Sequence, residues 1–306
     1  ELWRWTFPVD KLNQQTEQLS PLSSRPTYTE TENDLTVKAN KRTFIFSKKD
    51  GQLKGVSVDN RKISFANGPR FIGARRADRS LDQFYNHDDE KAKEKDRTYS
   101  EFPDAAVFTK LDVKQDGGDL IVTANYKLGN LDKAQWTINP SGDLALDYTY
   151  NFSGVVDLMG IRFDYPEDQV ISKRWLGAGP YRVWQNRIHG TQYDVWENDY
   201  NDPIPGETFT YPEFKGYFGD VSWMNIQTKE GTISLTNETP DTYIGVYQPR
   251  DGRDRLLYTL PESGISVLNV IPPVRNKVNS TDLCGPSSQP KWVNGPQTGR
   301  VIFRFM

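Results

Sequence analysis

Residues 134–150 read AQWTINPSGDLALDYTY and hold two alternating apolar runs around a turn. The runs are 134–138 and 144–150, and in both every second residue is apolar. Between them, residues 139–142 (NPSG) have the composition of a tight turn. A period of two is that of a strand with one buried face, so this stretch predicts an antiparallel hairpin.

The same alternation recurs along the chain from Asn33 onward. Further strands are predicted at 35–39, 43–46, 53–58, 120–128, 221–226, 232–235, 243–247, 265–270 and 301–305. Short strands at close spacing, separated by Gly, Pro, Asn and Asp, indicate a sandwich or a barrel. The sequence therefore predicts one almost all-β domain over 33–306, preceded by a lead-in or linker over 1–32.

Two stretches interrupt the strand pattern. Residues 81–97 (LDQFYNHDDEKAKEKDR) are highly charged and predict a solvated excursion or a short helix. Residues 177–219 are irregular and rich in proline, tyrosine and tryptophan. An irregular segment of this length in a compact domain is more often functional than connective.

Bulk composition excludes several classes of partner. The 38 Lys and Arg residues against 41 Asp and Glu give a net charge of −3, which argues against a broad basic surface for nucleic acid or anionic lipid. No run of about 18 apolar residues is present, so no membrane-spanning segment is predicted. Cys284 is the only cysteine, which rules out an intrachain disulfide and a cysteine-based metal site.

The first residue is Glu1 rather than Met. This start indicates that a leader or an upstream domain has been removed. We therefore expect a periplasmic or extracellular location.

Residues 174–181 read RWLGAGPY. This segment resembles the Trp-Leu-Gly-x-Gly-Pro signature in the C-terminal domain of family 2 glycoside hydrolases, the β-galactosidases. Further segments resemble that domain in the same order: Phe44 to Leu53 with Gly51 in a turn, Gly68-Pro69-Arg70 leading to Arg75, Arg76 and Asp78, residues 209–216 (FTYPEFKG), and Trp223. The resemblance covers about residues 33–306.

The resemblance implies a galactose-mutarotase-like supersandwich that packs beside a catalytic barrel and lends residues to the rim of a sugar pocket. The chain departs from the family at 181–187, where YRVWQNR replaces a Glu-Asn-Tyr-x-Asp-Arg run and only Arg187 stands at a comparable place. The family's Asp-Asn-Asp run is likewise reduced to residues 78–80 (DRS).

The candidate ligand-binding residues combine flat rings with multi-donor polar groups, as sugar sites require. They are Tyr181, Arg182, Trp184, Arg187, Trp196 and Glu213, in a group that also includes Tyr193. Trp175, in the signature itself, is predicted to lie in the core. Trp184 and Trp196 stand in loop-like sequence, where both exposure and burial remain open.

No catalytic residue is predicted, because nothing resembles the barrel that carries the paired carboxylates of these hydrolases. Glu213 and His189 are the candidates to test if the chain has chemistry of its own. His189 with Glu197 or Glu213 could supply a proton donor and a base for a mutarotase. The alternative is that His189 is a loop residue bonded to backbone.

No metal site and no cofactor are predicted. The acidic residues around His87 in 82–90 indicate a solvated charged face, and a structural Ca²⁺ or Na⁺ ion is the alternative.

The first functional hypothesis is therefore a carbohydrate-binding accessory domain, non-catalytic in isolation. Its partners are an oligo- or polysaccharide and an upstream catalytic barrel. The second hypothesis is a free-standing enzyme of the same fold, a mutarotase/epimerase or a polysaccharide lyase. The third is an interaction module for long polysaccharides.

Overall fold

The computed structural model describes residues 24–76, 99–199, 216–246, 261, 263–274 and 285–306. Within these ranges the regular structure consists of strands and two short 3-10 helices, Glu167–Gln169 and Pro286–Ser288. The strands are β1 (Thr27–Glu30), β2 (Asp34–Ala39), β3 (Arg42–Ser47), β4 (Leu53–Val58), β5 (Arg61–Ile63), β6 (Ala66–Arg76), β7 (Tyr99–Glu101), β8 (Val107–Asp116), β9 (Asp119–Lys127), β10 (Leu131–Ile138), β11 (Leu144–Val156), β12 (Leu158–Asp164), β13 (Val170–Gly179), β14 (Gln192–Asp199), β15 (Phe218–Gly219), β16 (Trp223–Thr228), β17 (Gly231–Asn237), β18 (Tyr243–Val246), β19 (Ile265–Val270) and β20 (Lys291–Phe305). No helix in the described ranges is long and apolar enough to span a bilayer.

The strands form two sheets whose ladders are antiparallel. The first sheet has eleven strands in the order β1-β2-β3-β4-β6-β12-β19-β18-β15, with β5 on β4 and β7 on β6. The second has nine, in the order β14-β13-β16-β17-β20-β11-β10-β9-β8. The predicted all-β sandwich is confirmed.

The hairpin predicted at 134–150 is β10 and β11, which pair from Ile138↔Leu144 outward. The turn is closed by Asn139, whose side-chain oxygen accepts a hydrogen bond from the Asp143 amide at 2.9 Å. Gly142 has φ of 82°, a left-handed conformation that favours glycine. A Cβ there would also stand 2.9 Å from a backbone oxygen of the first sheet. Local turn chemistry and sheet packing therefore specify the same residue.

One core fills the space between the sheets, and aromatic rings from both sheets interdigitate in it. Phe65, in the connection between β5 and β6, and Phe163, on β12 of the first sheet, stack at 4.7 Å between ring centroids. Phe303 of the second sheet lies 5.0 Å from Phe65, and Trp136 lies 6.0 Å from Phe163. All four side chains are fully buried. Burial of each such ring contributes about 1.5–3 kcal/mol to the stability of the sandwich.

A second apolar cluster covers the opposite face of the eleven-stranded sheet. Because neighbouring strand residues point to opposite faces, Phe71 enters the main core while Ile72 enters this second cluster. Its members are Ile72, Ala74, Tyr99, Leu158, Val183, Trp184, Tyr217, Leu268, Ile271 and Val274. The segment around residues 183–184 is therefore fixed against the outside of the sandwich.

β1 extends the eleven-stranded sheet to Thr27, because Thr27–Glu30 pair with residues 35–38 of β2. All four residues of β1 are exposed. Residues 1–23 and the charged stretch 81–97 lie outside the described part of the chain. The division into a lead-in over 1–32 and a domain over 33–306 stays a prediction.

Candidate functional site

Residues 174–179 of the RWLGAGPY motif form the second half of β13, between β14 and β16, and Pro180 and Tyr181 follow the strand. Trp175 pairs with Trp196 on β14 and with Met224 on β16. Its side chain is fully buried, and its indole N–H donates to the Ala178 carbonyl at 3.0 Å. The Phe218 ring meets it edge-on at 4.9 Å. The prediction that Trp175 belongs to the core is confirmed.

Trp196 is partly buried and lies against the backbone of the motif. A Cβ placed on Gly179 would come within 2.4 Å of the Trp196 ring, so only glycine leaves room for the indole there. The indole N–H donates to the Gln192 carbonyl at 3.2 Å. The sequence left open whether Trp196 is exposed or buried. In the structure its burial is intermediate, and part of the residue is accessible to solvent.

Trp184 is buried, with 5% of its surface exposed. It sits in a tight turn in which the Arg187 amide donates to the Trp184 carbonyl at 2.8 Å. Val183 next to it exchanges two backbone hydrogen bonds with Tyr217, at 2.7 and 2.8 Å. The Tyr217 ring packs edge-on against the indole at 5.6 Å. For Trp184 the structure therefore gives burial, and its ring is not presented to solvent as a stacking surface.

Asn186, which sequence reasoning did not single out, ties this turn to two distant segments. Its amide nitrogen donates to the Val274 carbonyl at 2.7 Å and to the Ser288 hydroxyl at 2.8 Å. Its amide oxygen accepts from the Val274 N–H at 2.9 Å. Gln185 donates to the carbonyls of Ser287 and Gln289, both at 2.8 Å. The turn therefore holds the segments around Val274 and Ser288 in place.

Two buried cations flank the Phe218 ring beside the motif. The Arg182 guanidinium lies 5.5 Å from the ring centroid and the Lys173 ammonium 5.9 Å, distances at which a cation is attracted to an aromatic face. Arg182 is 1% exposed and Lys173 is fully buried. Arg182 was predicted to offer its donors to a ligand, but the structure turns it inward. Lys173 was not predicted, although its period-two spacing from Trp175 places both on one face.

The solvent-exposed members of the predicted group surround a short loop at 187–190. Arg187 and His189 are exposed, and Tyr181 is partly buried. The Tyr181 hydroxyl donates to the His189 carbonyl at 3.3 Å. Gly190 has φ of 91°, and a Cβ there would come within 2.6 Å of the same hydroxyl. Tyr181 is thereby held over the loop.

A proton-transfer pair of His189 and Glu197 is not assembled in the described residues. Glu197 lies five residues along β14 from Gln192, where the strand begins, and its carboxylate lies 3.9 Å from the Arg174 guanidinium. Glu213 lies outside the described residues, so its candidacy rests on sequence. Among the ranges described, no group of three or more His, Cys, Asp and Glu residues could hold a metal ion.

A buried ion pair lies where the chain passes from β11 of the second sheet to β12 of the first. The Arg76 guanidinium lies 3.6 Å from the Asp157 carboxylate, and both side chains are at most 6% exposed. The Arg76 amide donates to the same carboxylate at 3.0 Å, and its guanidinium donates to the Ser288 carbonyl at 2.8 Å. Arg76 lies in a segment that resembles the β-galactosidase domain, but its partner Asp157 carried no signal in the sequence.

Comparison with known proteins gives one matching family and several similar structures. Residues 38–272 match the family model described as the beta galactosidase small chain. The structure is similar to galactose 1-epimerase from Lactobacillus acidophilus NCFM, with a TM-score of 0.50 and 9% identity over 93% of this chain and 99% of that chain. A mutarotase-like protein of Salmonella typhimurium gives a TM-score of 0.38 and 9% identity, over 94% of both chains.

An amine oxidase of Aspergillus nidulans gives a TM-score of 0.35 and 9% identity over 99% of this chain and 55% of that chain. A search of curated proteins returns no match. At these identities the structural likeness concerns the fold alone, and the predicted galactose-mutarotase-like supersandwich is confirmed.

Proposed function

Because this chain belongs to the β-galactosidase small-chain family, we propose that it is a carbohydrate-binding accessory domain of a β-galactosidase-type glycoside hydrolase. In this role it borders the sugar pocket of a catalytic barrel and contributes no catalytic carboxylate itself. The observation that carries the proposal is the family match over 38–272, which includes the complete RWLGAGPY motif.

The proposed sugar-contacting surface consists of the accessible side chains beside the motif. The half-exposed Trp196 ring offers a flat apolar face, and Arg187 offers a fork of five N–H donors. The Tyr181 hydroxyl bonds the backbone of the 187–190 loop, which also carries Arg187. Trp184 and Arg182 are buried and are therefore not part of the accessible surface. Glu213 remains a proposed member on sequence alone.

Free-standing mutarotase or epimerase activity is the rival proposal. It draws on the fold shared with galactose 1-epimerase. Ring opening needs a proton donor and a base at the sugar. Among the described residues, no hydrogen bond or ion pair joins His189 to Glu197, whose carboxylate lies beside Arg174, which favours the accessory role. Polarimetry of freshly dissolved α-galactose with and without the chain separates the two proposals, since only an epimerase accelerates the change in rotation.

The accessory role is tested by calorimetric titration of the chain with galactose, lactose and longer galactosides. We expect Trp196→Ala and Arg187→Ala each to weaken binding about tenfold, the loss usual for a contact that matters. Phe108→Ala and Arg61→Ala are the controls, because they remove a partly buried aromatic ring from β8, at the opposite edge of the sheet from β14, and an exposed arginine from β5. Equal losses in the control variants would contradict the proposed surface.

We also propose a periplasmic or extracellular location, in keeping with a role on external glycans. Cell fractionation followed by immunoblotting tests it, and recovery of the chain with cytosolic markers would contradict it.

A further inference from the structure

The beginning of β20 carries an aromatic ring that the core does not use. Trp292 is 72% exposed, more than any other aromatic side chain in the described ranges. Val301, Phe303 and Phe305 of the same strand point into the core. Since side chains alternate along a strand, even-numbered residues of β20 point to the outside of the nine-stranded sheet. Trp292 therefore stands on a sheet face and not on a loop.

The backbone under this ring is a rigid ladder. β20 and β11 pair continuously from Leu144↔Phe303 to Val156↔Lys291 without a bulge. On the outer face, Trp292 lies opposite Val155, Asn294 opposite Ser153, and Pro296 opposite Asn151. Successive residues on one face are about 6.8 Å apart along the strand. The outer face thus presents a ring followed by polar groups at regular spacing.

The polar groups in this row are oriented by hydrogen bonds to one another. The Ser153 hydroxyl donates to the Asn294 amide oxygen at 2.8 Å, which leaves the Asn294 amide nitrogen as a donor for a ligand. The Asn151 amide nitrogen donates to the Asp132 carboxylate, which leaves its amide oxygen as an acceptor. Asn130 fixes the Asn151 backbone with a further bond at 2.8 Å. Donors and acceptors are therefore set before a ligand arrives, which lowers the entropy cost of binding.

The side chains of this outer face favour a sugar over a nucleic acid or a protein as the ligand. A phosphate backbone needs cations, whereas Asp132 adds negative charge to the row and Lys291 points to the opposite face. A protein partner needs a broad apolar centre, but the apolar residues of this row are Trp292, Val155 and Pro296, and the polar pair of Asn294 and Ser153 separates Pro296 from the other two. An exposed indole beside oriented amides matches the apolar CH face and the hydroxyls of a pyranose.

We propose that the outer face formed by Trp292, Val155, Asn294, Ser153 and Asn151 binds a neutral glycan chain of at least two rings. Trp292 stacks on one ring. The Asn294 and Ser153 side chains, one residue pair further along, bond the hydroxyls of the next. This platform is separate from the surface around Trp196 and does not depend on it.

The test is affinity electrophoresis of the full chain in native gels containing galactan, xyloglucan, arabinoxylan or mannan. The polymer that retards the chain then supplies oligosaccharides for calorimetric titration. We expect Trp292→Ala to weaken binding at least tenfold and Asn294→Ala about three- to tenfold. Trp292→Phe, which keeps a ring, retains part of the affinity. Leu128→Ala is the matched control, because Leu128 is 73% exposed on a turn elsewhere.

Three results would overturn the proposal: no retardation by any neutral polymer, equal affinity in Trp292→Ala, or a Trp292→Ala effect confined to oligomeric state. The last would make the face a protein interface. Loss of binding in Trp196→Ala with none in Trp292→Ala would overturn the platform and leave the proposed function standing. The reverse pattern would support the platform alone.

Discussion

The Trp196 indole occupies the space that a side chain at Gly179 would fill: a Cβ there would lie 2.4 Å from the ring. Gly179 of the family motif is thus in direct contact with the partly buried Trp196 ring on the neighbouring strand β14. The second glycine of the motif, Gly179, leaves the space that the Trp196 ring occupies.

Gly179→Ala therefore displaces Trp196. We expect a loss of about 1–3 kcal/mol in the free energy of unfolding, the usual cost of overpacking. A change in near-ultraviolet circular dichroism should accompany it, because the indole loses its fixed environment. Gly118→Ala is the control, since a Cβ there would meet only Pro140 at an ordinary 3.5 Å. Equal stability of the two variants would contradict the contact.

The tryptophans of this chain should separate by burial when each is changed to alanine. Trp175→Ala and Trp184→Ala leave cavities at nearly inaccessible positions and should cost about 3–5 kcal/mol. Trp292→Ala removes an exposed ring and should change stability by less than about 0.5 kcal/mol. Urea unfolding measures all three. A stable Trp184→Ala variant would refute the packing of this indole against Tyr217.

Asn186→Ala should loosen the end of the molecule on which the proposed sugar surface stands. Its three side-chain hydrogen bonds join the turn to Val274 and Ser288. We expect a loss of about 1–3 kcal/mol, because buried partners are left unsatisfied. Hydrogen exchange should quicken at residues 271–274 and 286–289. Asn225→Ala, on the outer face of β16, is the control and should leave exchange there unchanged.

Acid should weaken the fold through Asp143. Burial alone would raise the pKa of this carboxyl, but hydrogen bonds and charge from Arg304 outweigh it and lower the pKa below the usual 3.8. A depressed pKa adds stability above the unfolded pKa, and this stability disappears as pH falls through the folded pKa. Asp143→Asn should therefore lower stability at pH 7 by about 1–3 kcal/mol, with a difference from wild type that shrinks below about pH 4.

Asp119 is the control for Asp143, because its pKa is shifted in the opposite direction. Burial, and then the neighbouring charge of Asp116, raise the pKa of Asp119. A raised carboxyl pKa opposes folding when the group is ionised. Asp119→Asn should therefore stabilise the chain at pH 7. Urea midpoints measured between pH 3 and pH 7 decide both signs, and a loss of stability in Asp119→Asn would contradict the assignment.

Local patterns predicted the sheets well because period-two burial and turn chemistry act within a few residues. The hairpin of β10 and β11 is the clearest case, since Asn139 and Gly142 close it by themselves. Trp175 was also predictable, because a buried strand position accepts a large ring.

The candidate site was less predictable because distant segments decide which side chains are buried there. Trp184 stands in a loop without periodicity, and it is buried by the second apolar cluster, in which Tyr217 packs edge-on against it. Lys173 is fully buried, and the sequence did not predict this because lysine side chains are almost never fully buried. Asn186 lacks a sequence signal altogether, since its partners become neighbours only in the fold.

The chain alone should not hydrolyse aryl glycosides. Hydrolysis through an oxocarbenium-like transition state needs a proton donor at the leaving oxygen and a second carboxylate about 5–5.5 Å away in a retaining enzyme. The two pKa values must be separated by their surroundings, one raised by burial and the other kept low. Among the described carboxylates, Asp157 is buried but held by Arg76, and Asp143 is held by Arg304. Both are therefore engaged in structural ion pairs.

Glu213, which the sequence places between Pro212 and Phe214, is the carboxylate whose removal decides the matter. Purified chain is incubated for a day with nitrophenyl galactosides, glucosides and xylosides, beside Glu213→Gln and an Asp116→Asn control. We expect release of nitrophenol at the buffer rate in all three, because no segment of the sequence resembles the barrel segments that carry the paired carboxylates of these hydrolases. Turnover by the wild type that disappears only in Glu213→Gln would refute the accessory role and make Glu213 a catalytic residue.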